Sequence, residues 1–153
     1  MKKIILLCLL FFMLTGFEQA DQLKITNVET TIIQTNQELR YDFTIENTGE
    51  KPIESDFDYP GYHPFGIELA VKPNENLANL MKMVQDTKYK KMIPLGSGSS
   101  GYFPPGEDAS FHVSYQIKDD AELEKVKKHA LDSTLLILDG VDISAEFLLH
   151  KVP

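Results

Sequence analysis

Apolar and polar residues alternate strictly in two stretches of the chain. In Glu38–Glu46, Leu39, Tyr41, Phe43 and Ile45 share one face, and Arg40, Asp42, Thr44 and Glu46 the other. In Ala109–Ile117, Ala109, Phe111, Val113, Tyr115 and Ile117 face one way, and Ser110, His112, Ser114 and Gln116 the opposite way. A period of two over this length predicts a half-buried strand, usually of an antiparallel sheet with one wet face. Phe65–Val71 repeats the pattern, and so do Ile143, Ala145, Phe147 and Leu149. Leu135–Leu138 is a continuous apolar run, as expected of a central strand. Leu23–Gln34 is rich in β-formers but alternates irregularly. Asn47-Thr48-Gly49, Pro60-Gly61, Pro104-Pro105-Gly106 and Asp139-Gly140 are turn signals between these runs. Asp139-Gly140 predicts a hairpin, because both residues tolerate positive φ.

Two stretches carry a helical period instead. After Pro73, Asn74 is a plausible N-cap, and Leu77, Leu80, Met81 and Val84 recur at helical spacing. Further on, Asp119 and Glu122 have the spacing of a capping box, and Leu123, Val126, Ala130 and Leu131 follow as an apolar stripe. Short strands with turns between them and two helical insertions predict an all-β fold, an antiparallel β-sandwich, as a single domain over residues 21–153.

The first twenty residues read as an address. Lys2 and Lys3 precede an unbroken apolar run from Ile4 to Leu14, and the small residues Gly16 and Ala20 follow. This is the pattern of a secretory signal peptide, with cleavage expected near residues 16–20. The run spans only ~17 Å as a helix, short of the ~30 Å hydrocarbon core. Cys8 lies inside the run, with Leu7 before it, and does not stand in a lipobox.

Composition narrows the chemistry. The chain has 153 residues, 15 basic and 23 acidic, with a net charge of −8. Removing residues 1–20 takes away Lys2, Lys3 and Glu18 and leaves a net charge of −9. An acidic surface argues against nucleic acid and anionic lipid as main partners. Cys8 is the single cysteine, which excludes an internal disulfide and a multi-cysteine zinc site. An exported domain without disulfides suits a bacterial extracellular protein.

Several motifs invite sharper readings. Gly96-Ser97-Gly98-Ser99-Ser100-Gly101 has the letters of a dinucleotide fingerprint, but the Pro104-Pro105 that follows cannot open the helix it needs, so a flexible Gly/Ser loop is expected. Glu54, Asp56 and Asp58 would project to one side of an extended chain. Tyr59 stands where a calcium-binding EF-hand loop needs Gly, so that loop is excluded and a charged strand edge is the plainer reading. His63, His112, His129 and His150 show no metal-ligand spacing. No cofactor, metal site or catalytic constellation is expected. The segment Tyr59–Gly66 gathers Tyr59, Tyr62, His63 and Phe65 between prolines, a composition suited to a rigid binding loop at the end of a sandwich.

Tyr41–Gly49 is an alternating strand ending in Asn-x-Gly, and Pro104–Tyr115 places Pro-Gly-Glu before an aromatic alternating strand. This pair of motifs resembles bacterial extracellular immunoglobulin-like domains, both the adhesion-type modules and the Ig-like domain of the Bacillus proteinase-inhibitor family. The resemblance implies an immunoglobulin-like β-sandwich and transfers no functional residue. The first expectation is a secreted, non-enzymatic module that binds a protein or cell-envelope component through Tyr59, Tyr62, His63 and Phe65, joined by Tyr102 and Phe103. The alternatives are a secreted proteinase inhibitor presenting the loop Gly96–Phe103, and a hydrolase.

Overall fold

The structure is a computed structural model that describes residues 20–53, 67–85, 89, 91–99, 103–139 and 142–152. Seven strands run through the described residues: β1 (Leu23–Ile33), β2 (Glu38–Asn47), β3 (Ile67–Pro73), β4 (Pro94–Ser99), β5 (Asp108–Gln116), β6 (Ser133–Asp139) and β7 (Asp142–Leu148). They form two antiparallel sheets, one ordered β1-β2-β5-β4 and the other β3-β6-β7. Two short helices, α1 (Glu75–Ala78) and α2 (Leu123–His129), lie in the connections. The fold is therefore all-β with two helical insertions, and the inner faces of both sheets share one core.

The strict alternation of β2 survives intact, and that of β5 holds except at Ser114, which is buried despite its outward parity. Leu39, Tyr41, Phe43 and Ile45 are buried, and so are Ala109, Phe111, Val113 and Tyr115 of β5. Phe43 faces Phe111 across the pair, while Thr44 and His112 turn outward. The irregular pattern of β1 has a local cause. A bulge between Ile25 and Asn27 switches parity, so Leu23 and Ile25 point inward before it and Val28 and Ile32 after it. A second bulge, between Ile137 and Leu138, does the same to the β6–β7 pair. Ala145 and Phe147 pack on the core as expected, but Ile143 is 40% exposed, opposite Leu138 on the outside of its sheet. There Ala70, Leu136 and Leu138 form a second small apolar cluster with Tyr89. The run Leu135–Leu138 is central as expected, between β3 and β7.

Both helices differ from expectation. Asn74 does cap α1, its Oδ1 accepting the Leu77 N–H at 2.9 Å. The helix stops after one turn, because the chain beyond it is drawn into sheet-like bonds: Lys82 N donates to Gln116 O, and Met81 bridges Ile117. Tertiary pairing here overrides helical periodicity. The capping box before α2 does not form. Glu122 is the N-cap without a side-chain cap bond, and Asp119 instead takes Lys82 Nζ at 3.0 Å. Val126 and Ala130 are buried, whereas Leu131 is 36% exposed.

Two tyrosines and one asparagine knit the layers. The Tyr41 hydroxyl, buried, donates to Ala130 O at 2.8 Å, and the Tyr115 hydroxyl accepts the Val71 N–H at 2.7 Å. Burial raises the pKa of both: Tyr115 is pushed up to about 12, and Tyr41 lies well above the ordinary tyrosine range although the Ser133 hydroxyl opposes the rise. Asn47, fully buried at the end of β2, accepts the Gly49 N–H on Oδ1 at 3.0 Å. Its Nδ2 donates to Lys51 O at 2.8 Å and, more weakly, to Phe103 O at 3.4 Å. Its main chain bonds Glu107 O and the Gly106 N–H. The Asn-Thr-Gly and Pro-Pro-Gly turns are thus one bonded structure. A Cβ at Gly49 would fall on the end of the Gln22 side chain, which would have to turn away.

Candidate functional site

The outward residues of β1, β2, β5 and β4 form the polar face of the four-stranded sheet. Register aligns one row across all four strands: Glu29 opposite Asp42, Asp42 opposite His112, and His112 opposite Gly98. Two carboxylates directly opposite on neighbouring strands destabilise a sheet unless something compensates. Arg40 supplies the compensation. Its Nε bonds both Asp42 carboxylate oxygens at 3.0 Å and its Nη2 bonds Oδ1 at 2.6 Å, a planar fork on one strand. The bond raises the Arg40 pKa further above its already high ordinary value. Asn27 Nδ2 reaches Glu29 Oε1 at 3.3 Å.

His112 completes the row. Neither ring nitrogen has a hydrogen-bond partner among the described residues, and the ring reaches across β4 at Gly98. A Cβ at position 98 would lie 2.5 Å from its Cε1. Glycine at 98 therefore makes room for an imidazole. With small side chains on β4 and Ser110 on β5, the face forms an open trough of about 500 Å3 lined by Asn27, Glu29, Arg40, Asp42, Ser99 and His112. Phe43 and Phe111 lie behind it and are buried.

A second concavity, of about 360 Å3, lies where β3 meets the start of β6, between Lys72, Asn74, Asp132, Thr134 and His150. Asp132 there is bonded to His129 Nδ1 at 2.9 Å. Among the described residues, no group of three or more His, Cys, Asp or Glu is placed to hold a metal ion.

The structure relocates part of what the sequence suggested. Tyr59, Tyr62, His63, Phe65 and Tyr102 lie outside the described residues, as do Glu54, Asp56 and Asp58. Phe103 offers no binding surface: it is fully buried, its ring edge-on to Phe111 at 5.9 Å. The expected Gly/Ser loop is, over Gly96–Ser99, the paired edge strand β4. That half of the loop expected to enter a protease cleft is hydrogen-bonded into the sheet beside β5. The row Glu29–Asp42–His112 went unrecognised in the sequence, because strand polarity marks each residue only as outward and their meeting depends on register. Comparison with known proteins finds no matching family model, no matching curated protein and no matching solved structure.

Proposed function

We propose that the chain is an exported, non-enzymatic binding module of immunoglobulin-like build, whose ligand meets the polar face of the four-stranded sheet. The build is supported by strand order. Lettered A to G along the chain, the sheets read A-B-E-D and C-F-G, the constant-type immunoglobulin arrangement. The inter-sheet disulfide and buried tryptophan of antibody domains have no counterpart, since the chain has only Cys8 and no Trp. Export is supported by the basic start and apolar run before the domain.

One observation carries the binding role: Glu29, Asp42 and His112 stand in a single row, with Arg40 holding Asp42. A row that sets two carboxylates face to face and leaves an imidazole unbonded breaks a local rule of sheet stability, and such breaches gather at functional positions. The Asp42 carboxylate is already occupied by the Arg40 fork, which suits recognition better than proton transfer. The partner is a protein or a cell-envelope component. The test is cosedimentation of residues 21–153 with a bacterial envelope fraction. The His112→Ala variant should keep its melting temperature and lose binding, and the Arg40→Ala/His112→Ala double variant should stay folded, melt somewhat lower for want of the Arg40 compensation, and lose binding too. Unchanged binding by that variant would place the site elsewhere.

A further inference from the structure

We infer that the trough on the four-stranded sheet recognises a carbohydrate that is neutral or carries amino groups, an inference that rests on reading this face as the binding site. Three features carry it. The first is planar, pre-set polarity: the Arg40–Asp42 fork presents donor and acceptor edges locked by three short contacts, so little order remains to be imposed on binding. Adjacent hydroxyls of a sugar ring need this mixture of donors and acceptors, and His112 adds a ring with two unbonded nitrogens beside it.

The second feature is that, among the described residues, the trough has no apolar anchor. Protein partners are held by aromatic and aliphatic side chains filling pockets. Among the described residues the exposed large apolar ones, Ile93, Leu95, Leu131, Ile143 and Leu148, all lie outside the trough, and Phe43 and Phe111 are 2% and 5% exposed beneath it. Among the described residues a peptide side chain would find no pocket to fill there, whereas the hydroxyls of a sugar can pair with the polar edges that the trough does present.

The third is charge. The outward positions of β1, β2 and β5 carry Glu29, Glu38, Asp42, Glu46 and Asp108 against Lys24 and Arg40. This excess of acid repels uronates and phosphate-bearing polymers and accepts neutral or amino sugars.

The experiment is an NMR titration of residues 21–153 with cellotetraose, xylotetraose and chitotetraose, and with polygalacturonate as the anionic control. At least one neutral or amino-sugar tetramer should shift the His112 ring and Arg40 Nε signals, and polygalacturonate should not. His112→Ala and Asp42→Asn, both folded by circular dichroism, should each weaken that binding about tenfold, the loss of one good hydrogen bond. Absence of any shift with all three tetramers overturns the carbohydrate inference. Competition separates the two claims. Loss of binding to the envelope fraction in an excess of the tetramer that shifts His112 supports a carbohydrate. Binding that survives an excess of all three tetramers and still depends on Arg40 and His112 overturns the carbohydrate and leaves the binding face. No binding to the untreated fraction overturns the face itself.

Discussion

The Tyr115 hydroxyl accepts the Val71 N–H at 2.7 Å, so a side chain of the four-stranded sheet satisfies the backbone of the three-stranded one. β3 pairs with β6 on one side only, and the Val71 amide would otherwise be an orphan donor at a buried sheet edge. Replacing Tyr115 by Phe keeps the ring and strands that donor. The expected loss is about 1–3 kcal/mol, because a buried unsatisfied group costs its full desolvation. Tyr41→Phe removes a donor from the Ala130 carbonyl and should cost less, about 0.5–1.5 kcal/mol. Urea unfolding of both variants checks the order. A smaller loss for Tyr115→Phe than for Tyr41→Phe would mean water replaces the hydroxyl at Val71.

The same two hydroxyls set an alkaline limit. Both have folded pKa values raised by burial above the unfolded value near 10, Tyr115 to about 12. The folded chain therefore holds its phenolic protons more tightly than the unfolded chain. Their contribution is fully present below pH ~10 and is lost as pH rises through the folded values. Stability should be insensitive to these groups at neutral pH and fall steadily above pH ~10. Tyr115→Phe should flatten that fall. Equal alkaline slopes for the variant and the parent would show that Tyr115 does not titrate with unfolding.

Asn47 gathers both turn motifs, so its loss should be felt at both. Asn47→Ala leaves the Gly49 N–H and the Lys51 carbonyl without their partner at a partly buried corner and empties the buried place of the Asn47 side chain. A cost of about 1–3 kcal/mol is expected. Amide exchange should quicken at Gly49, and at Ile53, which donates to Phe103 O in the same bonded corner. Quickening at Gly49 alone would mean the two turns are held independently.

What could be read in advance follows from where single-strand information suffices. β2 and β5 have one dry and one wet face, and their alternation alone gave the inward parity of Phe43 and Phe111. β1 and β7 have the same composition rules, but each pairs across a bulge, and a bulge is a property of two strands together. β4 was opaque for a different reason. Gly96-Ser97-Gly98-Ser99 has little intrinsic strand preference, and it is a strand because β5 offers it a ladder and His112 needs an uncluttered neighbour. The candidate site was hidden by the same dependence on register. Glu29, Asp42 and His112 are unremarkable polar residues until three strands align them.

Gly98 offers the most direct check on that alignment. A methyl group at position 98 would overlap His112 Cε1, the far end of a rotatable side chain, and would meet no backbone atom closely. The clash can be relieved by turning the imidazole away, so Gly98→Ala should change global stability by no more than about 1 kcal/mol. Alanine also lowers the entropy lost when the strand forms, which offsets part of any strain. The ring should nevertheless leave its place over β4. Its Cε1 proton signal should move markedly, while Phe43 and Phe111 signals in the core beneath stay put. Any binding that uses the trough should weaken in step. A stability loss well above that figure, with His112 unmoved, would show that β4 is packed too tightly for the ring to be the part that gives.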